Sequence, residues 1–203
     1  IMDWIQHWNL QGKHAFLSPS GYSWLGYDAE KMAKSYENKQ NVARGTALHE
    51  MASQLIKSKT ELAPKKKALN LFVNDCIRDG MSSEVLLYYS DHCFGTADGI
   101  KWDSDQLELR IYDLKTGVSK PSFKQLDIYA ALFCLEYGVN PKKITIIQRL
   151  YQGNGYQEQV TIKDKARIEG ENPGNIAWIM SHIKQMSKIL EEKEAEIKPF
   201  KFW

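Results

Sequence analysis

Apolar and polar residues along this chain follow two periods, one typical of helices and one typical of strands. Apolar residues recur every three or four positions in four stretches, which predict helices at 41–58, 64–80, 121–137 and 173–196. β-Branched and aromatic residues predict strands at 85–89, within 94–117, at 144–150 and at 156–162. Pro19 predicts one further helix start, at 17–20. Helices around two hairpins fit an α/β or an α+β core.

The stretch 94–117 predicts a β-hairpin around a polar turn. If Ser104 and Asp105 form a two-residue loop, residues at equal distances from this loop face each other across the two strands. This register sets Asp98 opposite Ile111. The hairpin therefore brings polar residues from distant positions of the sequence near one another.

The second strand of this hairpin carries two charged residues on one face. Side chains alternate between the faces of a strand, so Ile111, Asp113 and Lys115 point the same way, and Asp98 joins them diagonally. Asp113 ends an apolar strand, where a buried charge is costly unless it is paired or bound to a metal. These residues alone leave two interpretations open: a divalent-cation site, or a structural ion pair at a strand end.

Two motifs in this hairpin resemble a known family. Gly-Thr-Ala-Asp-Gly at 95–99 and Tyr-Asp-Leu-Lys-Thr-Gly at 112–117 are similar to the core motifs of the PD-(D/E)XK nuclease superfamily, in its RecB-like and phage-exonuclease branch. The resemblance implies an α/β fold with a mixed central β-sheet flanked by helices, a restriction-endonuclease-like core. The motifs cover about 17–162, and the C-terminal helix at about 174–197 lies outside them. It also implies a histidine on an upstream helix and a Gln-x-x-x-Tyr on the next helix.

Both of these further motifs have a match in the chain. The stretch from Arg44 to His49, Arg-Gly-Thr-Ala-Leu-His, resembles the histidine helix of this branch. By its place beside an apolar helix face alone, His49 is typical of a core residue. Gln125 and Tyr129 are four residues apart and share a helix face. The resemblance implies that they border the site and help to hold the DNA or the catalytic lysine, while Asp127 faces away.

The resemblance implies Mg²⁺ or Mn²⁺ as the cofactor. Asp98 and Asp113 offer hard oxygen ligands, the Leu114 carbonyl adds a third, and His49 adds a nitrogen that Mn²⁺ tolerates better than Mg²⁺ does. Lys115 would orient or deprotonate the attacking water, or stabilise the phosphate in the transition state. The expected catalytic residues are Asp98, Asp113, Lys115, Gln125 and Tyr129.

Six polar or basic residues are expected to contact DNA phosphates: Ser18, Ser20, Arg44, Lys120, Lys124 and Arg149. The two serines start a helix, where free N–H groups either receive a phosphate or are capped by the hydroxyls. Arg149 is expected near the tip of the second hairpin, and Arg44 is alternatively a solvated residue. Contacts of this kind hold DNA by its backbone and give little sequence preference.

Composition limits the remaining choices. The chain has 203 residues and 43% hydrophobic content, which support one sizeable core, so 1–203 is expected to form a single nuclease domain. No run approaches the ~18 apolar residues of a membrane span, and no signal pattern is visible. Three cysteines fit no disulfide framework, zinc site or iron–sulfur cluster. The net charge of +2 means that any basic surface is local.

The sequence therefore predicts a metal-dependent deoxyribonuclease, with an exonuclease of recombination, repair or phage DNA processing favoured. A structure-directed or restriction-like endonuclease and a non-catalytic DNA-binding module of the same fold are the alternatives. The protein is expected in the cytoplasm of a prokaryote or a phage-infected cell, bound to DNA and to no membrane. The resemblance is compatible with a homo-oligomer and with a recombinase or single-strand annealing partner.

Overall fold

The computed structural model describes residues 16–17, 19–162 and 173–197. Its α-helices are α1 Ala29–Lys57, α2 Ala68–Asp79, α3 Lys124–Glu136 and α4 Pro173–Ile197. Its strands are β1 Ser82–Ser90, β2 Cys93–Asp103, β3 Glu108–Lys115, β4 Thr145–Gln152 and β5 Gly155–Thr161. Short 3₁₀ helices span Pro19–Gly26 and Pro141–Lys143. Within the described residues, every helix is too short or too polar to cross a membrane.

The chain divides into two compact units, Ile1–Thr46 and Ala47–Trp203, and the boundary between them falls within α1. In the first unit, the ring of Phe16 packs edge-on against Tyr36, with ring centroids 5.1 Å apart. The second unit contains all five described strands and the hairpin that carries the nuclease-like motifs. The single nuclease domain expected from the sequence stays a prediction.

The strands form one sheet in the order β1-β2-β3-β4-β5. Neighbouring strands are antiparallel except β3 and β4, which are parallel. A parallel pair needs a crossover connection, and α3 provides it between the end of β3 and the start of β4. The predicted second hairpin is confirmed as β4 and β5. The α/β class with a mixed sheet flanked by helices is therefore confirmed.

Helices cover both faces of this sheet, and β3 contributes to both cores. Tyr112 and Leu114 pack in one core with α2, together with Phe72 and Cys76. The alternate residues of β3 pack with α3 and α4 in a core that includes Leu109, Ile111, Leu126, Ala130, Ile146 and Ile183. By the same alternation Asp113 continues the α3 face of the strand.

The hairpin between β2 and β3 has a longer turn than the sequence predicted. A four-residue turn follows Asp103, whose carboxylate accepts two backbone N–H groups of the turn, and Leu107 takes a left-handed φ of 51°. Ile100 consequently pairs with Ile111, so the predicted pairing of Asp98 with Ile111 is wrong by two positions. A shift of two residues leaves the alternation of faces unchanged, and the charged residues of the two strands still share a side of the sheet.

Two helices begin at positions that the periodicity did not predict. α1 begins at Ala29, well before the predicted start, because the carboxylate of Asp28 accepts a backbone N–H of the first turn at 2.8 Å. α2 begins at Ala68, after the predicted start, since the preceding loop is anchored to the Asn74 side chain. Its predicted end is confirmed, with Gly80 at a φ of 66°.

Candidate active site

Three elements bring the charged residues of the site together: α1 carries His49, β2 carries Asp98, and β3 carries Asp113 and Lys115. Nδ1 of His49 lies 3.2 Å from Oδ2 of Asp98. The same carboxylate oxygen accepts a hydrogen bond from the Leu114 N–H at 2.9 Å. The contact with Asp98 raises the pKa of His49 above its usual value, although burial opposes that shift. Asp98 thus joins the histidine helix to the backbone of β3.

Asp113 is the most buried acid of the site, with 2% of its surface exposed. Nζ of Lys115 lies 2.9 Å from Oδ2 of Asp113. That oxygen nevertheless has no hydrogen-bond partner of adequate geometry, so the ammonium balances its charge by proximity and not by an aligned hydrogen bond. Burial, and then the charge of Asp98, raises the pKa of Asp113. The carboxylate is therefore held in a place that disfavours its charge.

A chain of hydrogen bonds fixes the position of Lys115. Nζ of Lys115 donates to Oε1 of Gln125 at 2.5 Å, and Nε2 of Gln125 donates to the Tyr129 hydroxyl at 3.2 Å. The hydroxyl of Tyr129 donates in turn to the Thr96 carbonyl at 2.6 Å. A Cβ atom at Gly95 would lie only 3.1 Å from the Tyr129 ring, so a side chain there would crowd the ring. The chain links β3, α3 and β2 around the lysine.

Asp127 lies between these two residues in the sequence but faces elsewhere. Its buried carboxylate accepts a hydrogen bond from Nε2 of Gln148 in β4 at 3.0 Å. Burial raises the pKa of Asp127. The carboxylate supports the contact between α3 and the sheet and does not join the cluster around Asp98.

Glu84 is a residue of this site that the sequence did not reveal. It lies in β1 between two residues that pair with Gly99 and Ala97, which brings it to the level of Asp98. Its φ is 54°, a left-handed conformation that is strained for a residue with a side chain. Burial, followed by the charge of Asp98, raises the pKa of Glu84. The only sequence signal is a glutamate in a short strand that precedes the Asp98 motif.

The group of side chains that could hold an ion differs from the predicted set of ligands, because it contains Glu84 in place of Asp113. Ligand atoms of His49, Glu84 and Asp98 all lie within 4.8 Å of one another, and among the described residues they form the group that could hold an ion. Asp113 lies beside this group, but its oxygens do not lie within 4.8 Å of all three ligand atoms. One imidazole and two carboxylates suit divalent ions that accept both nitrogen and oxygen. The Leu114 carbonyl as a ligand stays a prediction, as do the catalytic roles of the named residues.

The expected DNA contacts fall into different environments. Lys120 and Lys124 are exposed and line a cavity together with Lys115. Ser18 lies outside the described residues, and so does the side chain of Ser20. Their phosphate contacts stay predictions.

The two arginines among the expected DNA contacts differ sharply in exposure. Arg44 is exposed on α1. Arg149 lies within β4 and pairs in register with Glu158, so the expected position near the hairpin tip is wrong. β4 continues to Gln152 before the chain turns, and the Arg149 guanidinium forms ion pairs with Glu158 and Asp75. Arg149 contributes to the packing of the sheet, and a phosphate contact by this residue stays a prediction.

Comparisons with protein-family models, curated proteins and solved structures give no match for this chain. Its function is therefore argued from the geometry of the site and from the resemblance of its short motifs.

Proposed function

We propose that this chain is a divalent-metal-dependent DNA exonuclease built on a restriction-endonuclease-like core. The observation that carries the proposal is the charge of the site. Glu84, Asp98 and Asp113 bring three carboxylates to one ammonium, that of Lys115, and to the His49 imidazole. Even with a protonated imidazole, which the raised pKa of His49 favours, one negative charge is left without a basic partner. A structural ion pair needs no such excess, whereas a divalent cation balances it.

The residues present fit such a cation. His49, Glu84 and Asp98 would hold it, and Oδ2 of Asp113, which has no aligned hydrogen bond, is a further oxygen available beside them. The imidazole nitrogen favours Mn²⁺ over Mg²⁺. When bound, the cation supplies neutralisation of the phosphate oxygens and a lowered pKa for a water molecule.

Lys115 has the contacts expected of the group that acts on the reacting atoms. Asp113 and Gln125 hold its ammonium on two sides, and Tyr129 holds Gln125. The ammonium can therefore orient the attacking water or stabilise charge on the phosphate without moving during the reaction. Gln125 and Tyr129 act through Lys115 as positioning residues.

The preference for an exonuclease rests on the resemblance. The histidine helix around His49 and the Gln-x-x-x-Tyr motif at Gln125 and Tyr129 resemble those of RecB-like and phage exonucleases more than those of restriction enzymes. The site geometry supports phosphodiester hydrolysis in general, and the motif set supports attack from DNA ends.

A nuclease assay on two substrates tests both phosphodiester hydrolysis and attack from DNA ends. End-labelled linear duplex and covalently closed circular duplex are incubated with Mg²⁺, Mn²⁺ or EDTA, and Lys115→Ala serves as the inactive control. We expect the wild type to degrade the linear DNA in either metal and to leave circles intact. Nicked or linearised circles as the first product would indicate an endonuclease. DNA binding without cleavage in any metal would indicate a non-catalytic module.

A further inference from the structure

A cavity lies directly beside Lys115. The connection between β3 and α3, the first turn of α3 and the end of β4 line this open cavity of about 380 Å³. Lys115 lines this cavity and also contacts Asp113, so it stands between the cavity and the acidic cluster. The cavity is within the size range of ligand pockets, roughly 300–1,000 Å³.

The lining of the cavity is positively charged. Three of its lining residues are lysines, Lys115, Lys120 and Lys124, and the others are serine, glycine, proline and glutamine. Lys120 and Lys124 form no ion pair with any residue in the described part of the chain. Their charges are therefore available to a ligand, and the absence of acid from the lining makes that ligand an anion.

The loop that carries these lysines is held in place by Gln152. Nε2 of Gln152 donates to the carbonyl oxygens of Gly117 and Ser119, at 2.7 and 2.8 Å. Gln152 is also the register partner of Lys115 in the parallel pair of β3 and β4. The strand beside the catalytic lysine thus fixes the backbone of the neighbouring loop. A loop fixed in this way can present Lys120 at a defined distance from Lys115.

The start of α3 lies beside the same cavity, because Ser122, Lys124 and Gln125 are among its lining residues. Phe123, the residue before the helix, provides no side-chain cap, although the hydroxyl of Ser122 lies 3.4 Å from the N–H of Lys124. Free N–H groups at a helix start favour an anion. Lysines, hydroxyls and backbone N–H groups together are the donors that proteins use for phosphate.

We propose that this cavity binds a non-scissile phosphate of the strand that is being cut, next to the phosphate that meets Lys115. The inference rests on the proposed nuclease function and assigns the substrate contact on one side of the cleaved bond. Lys120 and Lys124 bind this phosphate, and Gln152 acts as a positioning residue for their loop.

Binding is measured first without metal and without chemistry. Fluorescence anisotropy of a short fluorescein-labelled oligothymidylate in EDTA compares the wild type with Lys120→Gln, Lys124→Gln and the exposed control Lys142→Gln. Each cavity variant should weaken binding roughly tenfold, as expected for a lost charge-assisted contact. It should also reduce the slope of log affinity against log salt by about 0.7. Equal behaviour of all three variants would overturn the proposal.

The role of Gln152 is tested by a double-mutant cycle. Gln152→Met should weaken oligothymidylate binding in the wild-type background and should have no further effect when Lys120 and Lys124 are both replaced by Gln. An equal loss in both backgrounds would show a general structural effect and would remove the positioning role.

Cleavage of modified oligonucleotides then locates the phosphate. A single neutral methylphosphonate linkage replaces one phosphate at successive positions of the substrate. The linkage adjacent to the cut should slow cleavage by the wild type roughly tenfold, and it should not slow cleavage by the Lys120→Gln, Lys124→Gln double variant. An equal effect on both enzymes would overturn the cavity assignment while leaving the nuclease intact. Cavity-dependent binding by a protein that cleaves nothing would overturn the nuclease function and leave the phosphate site.

Discussion

Replacing Asp113 by Asn separates a cation site from a structural ion pair, because the two interpretations predict opposite changes in stability. Asp113 is 2% exposed, and its Oδ2 has no aligned hydrogen bond. Its pKa is raised by burial and by Asp98, so the folded chain without cation holds this charge at a cost. Removing the charge should then stabilise the cation-free protein by about 1 kcal/mol, at the low end of polar-group burial costs in proteins. A gain of that size raises Tm by roughly 2–4 °C for a chain of this length.

The assay is calorimetric unfolding in EDTA and in Mn²⁺. For the wild type, Mn²⁺ at about 100 times its Kd should add roughly 2.7 kcal/mol of stability. Asp113→Asn should start from a higher Tm in EDTA and gain much less from Mn²⁺. Asp105→Asn, an exposed carboxylate in the turn between β2 and β3, is the matched control and should stay within about 0.5 kcal/mol of the wild type in both conditions.

A structural pair would give the reverse result. Removing one partner of a buried ion pair costs about 3–5 kcal/mol, so Asp113→Asn would lose stability in EDTA if its contact with Lys115 mainly held the fold together. A loss of that size, together with an undiminished response to Mn²⁺, would refute the argument that the site is arranged for a cation.

Three further predictions follow from single residues. Lys115→Ala should leave Mn²⁺ binding by titration calorimetry unchanged and reduce cleavage by orders of magnitude, and parallel losses of both would contradict its role in the transition state. Glu84→Gly should relieve a left-handed φ of 54°, worth roughly 1–2 kcal/mol, and weaken Mn²⁺ binding, whereas Glu84→Gln should weaken Mn²⁺ binding alone. Asp127→Asn should stabilise the fold by about 1 kcal/mol at pH 7, because burial raises the pKa of Asp127. That gain in stability should shrink as the pH falls through the raised pKa and should vanish below about pH 4. Urea unfolding at pH 7 and below about pH 4 measures it, and an equal gain at the two pH values would contradict the prediction.

The sequence predicted the parts of the fold that depend on local pattern. The strands of both hairpins follow from β-branched alternation, and the end of α2 follows from Gly80. The turn after Asp103 was missed because its length depends on a side chain that caps backbone N–H groups and on Leu107 in a left-handed conformation. The early start of α1 was missed because that part of the helix is polar, and only the Asp28 cap marks it.

The candidate site was predictable to the extent that its residues are close in one hairpin. Asp98, Asp113 and Lys115 are brought together by alternation along β2 and β3, and an error of two residues in register does not separate them. Glu84 and Gln152 could not be predicted in this way. Glu84 depends on a local distortion of β1, and Gln152 depends on the parallel pairing of β4 with β3 across a long connection.

A second charge cluster on the opposite face of the sheet shows what a structural network looks like in this protein. Each of its carboxylates lies within 4.0 Å of an arginine, and its members are Asp75, Arg78, Asp79, Glu108, Arg110, Arg149 and Glu158. Around Asp98 the pattern differs, since neither Glu84 nor Asp98 pairs with a lysine or an arginine among the described residues. The same chain thus places an arginine within ion-pair distance of every carboxylate in one cluster and leaves Glu84 and Asp98 without a lysine or an arginine in the other. Because a buried charge costs stability, the retention of the buried Asp113 carboxylate beside Asp98 favours a functional cation over a structural role.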